Sequence, residues 1–207
     1  LHHQGPGEVL TPEVLEILKQ HKSEFLDLLR ESTPEPEEHP LSSPQREIWF
    51  DQLLYPDLPL YNIGGYTEIN GTIDRVLFEV AVKLLIQRHD TLRTKLASGT
   101  DEVPMQTFFQ DLPVTVPFYD FSQDADPCQT EIVWMKEQFI QPFELERKPL
   151  FRFALLKVSE NQFDFWFVYH HLIIDGWGIS LITQSLAEIY TQLLKEKKIE
   201  HVAPSYL

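Results

Sequence analysis

The segment QFDFWFVYH, residues 162–170, limits the fold more than any other part of the chain. In an extended backbone Phe163, Phe165, Phe167 and Tyr169 point to one side, and Asp164, Trp166, Val168 and His170 to the other. Both sides are mostly apolar, which predicts a central strand covered on both faces. The preceding stretch LFRFALLKV, 150–158, is joined to it by the polar turn Ser159–Glu160–Asn161, so the two form an antiparallel hairpin.

The covering layers are legible as helices. IDRVLFEVAVKLLIQRH, 73–89, repeats Leu77, Val80, Ala81, Leu84 and Leu85 at helical spacing, with Asp74 as its cap. GWGISLITQSLAEIYTQLLKE, 176–196, places Ile179, Ile182, Leu186, Ile189, Tyr190 and Leu193 on one face. LSSPQREIWFDQLL begins a helix near Ser42 or Ser43 with Pro44 in its first turn, and 127–140 reads as a weaker helix. YNIGGYTEIN, 61–70, TLRTKL and VPMQTFF read as strands. The fold class expected is α/β (α+β), a mixed sheet covered by helices.

Residues 1–32 carry a helical pattern over 10–31, capped by Thr11 with Pro12 and Glu13 in its first turn. His21 and Lys22 interrupt its apolar stripe. The acidic, Pro-rich stretch 33–40 reads as a linker, which puts the one domain boundary there and a folded domain over 41–207. The first residue is Leu1, and a longer parent chain is expected.

A formal charge of −15 argues against binding to nucleic acid or to anionic membranes. Cys128 is the only cysteine, so neither an internal disulfide nor a cysteine metal cage exists. With no secretory pattern and no membrane-length apolar run, a cytoplasmic location is expected.

The central strand runs into HHLIIDG, 170–176. Adjacent strand residues diverge, so His170 and His171 face opposite sides: one is held in the protein and the other meets whatever space opens at the strand end. For the same reason the pair and Asp175 do not converge on one ion, and no metal site is expected. Asp175 precedes the last helix and suits an N-cap. No G-x-S-x-G occurs and no serine is placed by sequence beside His171, so a base here would act on a nucleophile supplied by a substrate.

HHLIIDG resembles the HHxxxDG signature of the condensation-domain family of nonribosomal peptide synthetases. Three further stretches are similar to family motifs, in the family's order. They are RHDTLRT (88–94, with Asp90 for the usual Glu), LSSPQREIWFDQLL, and PFELERKPLFRFALLKV (142–158). The resemblance implies one lobe of a two-lobed, chloramphenicol-acetyltransferase-like fold whose active site lies in a tunnel between lobes. Residues 41–207 correspond to the N-terminal lobe, with the C-terminal lobe absent, and such a lobe is expected to be inactive alone. Residues 1–32 are similar to the end of an N-terminal docking domain, which would bind the tail of an upstream synthetase subunit; they also read as a generic amphipathic helix.

The chemistry implied is amide formation between thioesters presented on phosphopantetheine arms by upstream and downstream peptidyl carrier proteins, with no cofactor bound by the domain itself. The resemblance makes His171 the catalytic residue, as general base or as the group that positions the amine. It makes His170 structural support and Asp175 an ion-pair partner of Arg88, or less favourably of Arg93. Gly176 would allow a close turn and passage of the substrate arm, and Trp177 would pack beneath the site or line the tunnel. An epimerisation domain, which shares HHxxxDG, and an interaction module without chemistry are the alternatives.

Overall fold

The computed structural model describes residues 38–98, 103–110, 112–146 and 148–196. The helix expected over 10–31 lies outside them. Among the described residues, seven strands and four α-helices follow in chain order: β1 (Glu38–Pro40), α1 (Ser43–Leu54), β2 (Asn62–Asn70), α2 (Arg75–Arg88), a 3₁₀ turn (Asp90–Arg93), β3 (Thr94–Ser98), β4 (Pro104–Phe108), β5 (Phe118–Asp120), α3 (Pro127–Phe139), β6 (Phe151–Ser159), β7 (Gln162–His170) and α4 (Gly176–Glu196).

The main sheet has the order β2-β7-β6-β5, so β7 is central as expected. It pairs antiparallel with β2 and β6, while β5 runs parallel to β6, which makes the sheet mixed. The two faces of β7 divide as their alternation dictates. Phe163, Phe165, Phe167 and Tyr169 join a core with Phe78, Val82 and Leu85 of α2 and Ile182, Leu186 and Ile189 of α4. Trp166 and Val168 pack on the other face against Met135 of α3. Each fully buried phenylalanine of this kind contributes about 1.5–3 kcal/mol. Gly64 of β2 is required by the pairing, because a Cβ there would lie 2.2 Å from the Phe167 carbonyl oxygen.

Side chains that satisfy free backbone N–H groups define the helix starts. Ser42 and Gln45 form a capping box on α1. Asp74 Oδ1 accepts from the N–H groups of Val76 and Leu77 at the start of α2, and Asp126 caps α3.

The structure departs from the sequence reading in four places. The last part of the expected linker, Glu38–Pro40, is a strand paired antiparallel with β4, and β1-β4-β3 form a second small sheet. Proline is tolerated there because β1 is an edge strand. β5 was not expected either; three residues are too short to show alternation. TLR, the start of the expected strand TLRTKL, belongs to the 3₁₀ turn, and β3 begins only at Thr94. In α2 the buried face is Phe78, Ala81, Val82, Leu85 and Ile86. Ala81 and Leu85 of the expected stripe lie on it, while Leu77, Val80 and Leu84 flank it, because Phe78 meets Phe165 and Tyr190 edge-on.

Candidate functional site

β7 delivers the histidine pair. The pairing with β2 carries one residue past the strand, since His171 N–H donates to the Tyr61 carbonyl at 2.8 Å. The two rings therefore diverge as the alternation requires. His170 is fully buried, between Tyr61 and the edge-on ring of Phe143. Its Nδ1 accepts from Leu172 N–H and its Nε2 faces Gln52 Oε1, each at 3.3 Å. That assigns the proton to Nε2. Burial, then the neighbouring His171, lowers its pKa to about 4. His170 is thus a neutral buried strut. Gln52 completes it, donating from Nε2 to the carbonyls of Tyr55 and Leu58 and closing the end of α1.

His171 is half-buried and opens onto a cleft of ≈ 550 Å³. Its Nδ1 lies 2.7 Å from the Ile174 carbonyl oxygen. A carbonyl only accepts, so Nδ1 carries the hydrogen, and in the neutral ring Nε2 keeps a free lone pair. This is the form a proton acceptor needs.

The loop after β7 is held from two sides by groups far away in sequence. Gln45 Nε2 donates to the Leu172 carbonyl at 2.9 Å and also faces Gln106 of β4. Thr91 Oγ1 donates to the Ile173 carbonyl. Gln45, His89 and Thr91 line the cleft together with His171, Asp175 and Gly178, over a floor that includes Ile48 and Ile182. None of these three was singled out from the sequence. The motif stretches containing them were recognised, but a motif does not say which of its side chains reaches a shared space.

The ion pair expected of Asp175 and the close turn expected at Gly176 are corrected. Asp175 is exposed, and its Oδ1 accepts from Gly178 N–H at 2.7 Å, so it is the N-cap of α4. Among the described residues it makes no ion pair with Arg88 or Arg93. Arg88 instead donates to Ser185 Oγ at 3.3 Å. Arg93 donates to the carbonyls of Ile86 and Phe109 and pairs with Asp90, pinning the turn after α2. Gly176 has an ordinary φ, and a Cβ there would meet nothing within 4 Å, so no close turn requires it. The crowded glycine is Gly178, where a Cβ would lie 2.6 Å from Ile174 Cγ1. Trp177 is 74% exposed, so it does not pack beneath the site, and it is not among the residues that line the cleft of this lobe. It stands on the outward stripe of α4 with Gln184 and Glu188, one helical face away from Ile182 and Ile189.

Among the described residues, no group of three or more His, Cys, Asp and Glu side chains is arranged to hold a metal ion. No helix among them is long and apolar enough to cross a membrane.

The condensation-domain family model matches residues 35–207. The chain is 38% identical over 159 residues to a dimodular nonribosomal peptide synthase of Bacillus subtilis (strain 168), covering 76% of this chain and 7% of that protein. It is 32% identical over 152 residues to gramicidin S synthase 2 of Aneurinibacillus migulanus, covering 73% and 3%. The chain thus spans less than a tenth of the length of these relatives. Its fold matches the starter condensation domain of the rhizomide synthetase RzmA with a TM-score of 0.73 and 38% identity, over 81% of this chain and 40% of that one. The first condensation domain of the CDA synthetase gives a TM-score of 0.75 at 25% identity, over 81% and 43%. Matched by the family model over residues 35–207 and by fold over 81% of its length, with the histidine pair at the end of its central strand, this chain belongs to the condensation-domain family of nonribosomal peptide synthetases.

Proposed function

We propose that the cleft beside His171 receives a carrier-borne aminoacyl thioester and that His171 acts on its amine during amide formation. The observation that carries this reading is the state of the His171 ring. Nδ1–H is committed to the Ile174 carbonyl, and Nε2 remains as a lone-pair acceptor on a half-buried ring in an open cleft. In the reaction the amine nitrogen bonds to the carbonyl carbon of the upstream acyl or peptidyl thioester, and the C–S bond breaks. The nitrogen loses one proton, and the departing thiolate gains one. His171 Nε2 accepts a hydrogen bond from the amine and aligns its lone pair with the carbonyl; as a general base it also takes the proton. General-base assistance contributes about 10²–10⁴-fold, and alignment of two tethered reactants adds to it.

The partners proposed are an upstream and a downstream peptidyl carrier protein, each presenting its phosphopantetheine arm, with residues 1–32 receiving the tail of an upstream subunit in the cytoplasm. The lobe spans about 40% of the matched solved condensation domains, so the working enzyme is proposed to need the remainder of the domain. The test is amide formation between loaded carriers by the full-length synthetase subunit. His171→Ala is expected to reduce turnover by about 10²–10⁴-fold without altering the thermal midpoint. Turnover within threefold of the parent would refute the assignment. Amide formation by residues 1–207 alone would refute the need for a second lobe.

A further inference from the structure

The cleft holds a second imidazole. His89 sits between α2 and the 3₁₀ turn with its backbone fixed on both sides: its N–H donates to the Leu85 carbonyl, and its own carbonyl accepts from Leu92 N–H. Its half-buried ring lines the cleft that His171 opens onto. Nε2 lies 3.1 Å from the hydroxyl of Ser185, a buried residue of α4, and Arg88 Nη1 donates to that hydroxyl at 3.3 Å. Because Ser185 Oγ accepts from Arg88, its own hydrogen is available to His89 Nε2. When that hydrogen is given to Nε2, the neutral His89 ring carries its own hydrogen on Nδ1, as a donor. Burial, then the adjacent Arg88 charge, lowers the His89 pKa and favours that neutral ring. His89 and His171 line one cleft, and in these tautomers one offers a donor at Nδ1 and the other an acceptor at Nε2.

We infer that His89 is a positioning residue for the acceptor substrate, its Nδ1–H donating to an amide carbonyl of the pantetheine arm while His171 addresses the amine. This rests on the reading that the cleft takes a carrier-borne aminoacyl thioester. A neutral N–H donor suits an uncharged carbonyl acceptor, and the pantetheine arm supplies amide carbonyls on the thiol side of its phosphate. Ile48 and Ile182, apolar residues of the cleft lining, lower the local dielectric around such a bond and so strengthen it.

The test pairs protein variants with substrate variants in the full-length subunit. Two soluble acceptors are compared, an aminoacyl N-acetylcysteamine thioester and the S-pentyl thioester of the same amino acid, which has the same chain length without the amide. The parent is expected to use the amide-bearing acceptor about 3- to 10-fold better in kcat/KM, the range of one hydrogen bond. His89→Phe is expected to bring that ratio to about one by raising KM for the amide acceptor alone. Ser185→Ala, which frees the tautomer, lowers the ratio partway. His89→Asn, whose side-chain NH₂ stands close to the place of the imidazole Nδ1–H, restores it. A ratio in His89→Phe equal to the parent's overturns the inference, as does an equal loss on both acceptors or the absence of any preference in the parent. His171→Ala is the separate control. It is expected to lose turnover on both acceptors alike, and if it does not, the assignment of His171 fails whatever His89 does.

Discussion

Two carboxyl groups are buried against each other away from the cleft, and they give this protein a pH dependence that one substitution removes. Glu131 of α3 is 4% exposed and Asp164 of β7 is 2% exposed; Glu68 of β2 stands opposite Asp164 in the sheet. Two buried carboxyl groups side by side avoid two facing charges by keeping one proton between them. Burial, and next the charge of Asp164, push Glu131 from 4.5 up to about 8, and burial also raises Asp164. The pair therefore keeps a proton that separate exposed carboxylates would release. Between pH 4.5 and 8 the native state therefore holds one more proton at this site than the unfolded chain, and stability falls as pH rises. The slope is about 1.4 kcal/mol per pH unit, or roughly 2 kcal/mol between pH 6.5 and 8 from this residue. Glu131→Gln keeps an N–H donor for Asp164 and has no proton to retain. Thermal unfolding of parent and variant across pH 5–9 measures the difference. The parent midpoint is expected to drop from pH 6.5 to 8 while that of the variant changes little. At pH 8 the variant should be ahead by about 2–4 kcal/mol, or roughly 5–10 °C for a domain of this size. Glu68→Gln, which removes the last and smallest cause acting on Glu131 and on Asp164, should move the parent curve far less. Parallel curves for parent and Glu131→Gln, or a lower midpoint for the variant at pH 8, would refute the shared-proton account.

Other consequences follow from single contacts. Gly64→Ala drives a Cβ into the Phe167 carbonyl and should cost about 3 kcal/mol by urea unfolding, whereas Gly65→Ala, whose Cβ meets nothing, should stay within about 0.5 kcal/mol of the parent. Asp175→Ala removes a cap and should cost about 1 kcal/mol in the same assay while the protein remains folded; Asp175→Asn, which still accepts from Gly178 N–H, should recover most of it. His170 has the opposite pH sign to Glu131. With its folded pKa near 4 against 6.5 unfolded, the unfolded chain holds the extra proton, so stability is lost as pH falls from 6.5 to 4. Replacing His170 by Gln should flatten the acid side of the thermal stability curve and leave the alkaline side as in the parent.

Much of the fold was legible because its signals are local. The alternation of QFDFWFVYH is a property of nine residues, and the structure buries both of its faces. The caps at Ser42 and Asp74 bond to groups within three residues of themselves. The divergence of His170 and His171 follows from strand geometry alone. β1 and β5 were not legible because three residues are shorter than the pattern that would reveal them. The linker reading of 33–40 rested on composition, which does not register that β4 offers Glu38–Pro40 a partner.

The sequence by itself therefore determined the long strands and helices, the burial of both faces of β7 and the divergence of its two histidines, because each depends on a repeat or on neighbouring residues. Tertiary structure decided what the chemically capable side chains touch. His89 meets Ser185 across 96 positions, Gln45 meets Leu172 across 127, and Glu131 meets Asp164 from another layer. Asp175 caps its own helix instead of pairing with Arg88, and Trp177 turns outward. Those outcomes depend on the distance and angle between packed elements, and no local pattern encodes a distance between parts of the chain so far apart.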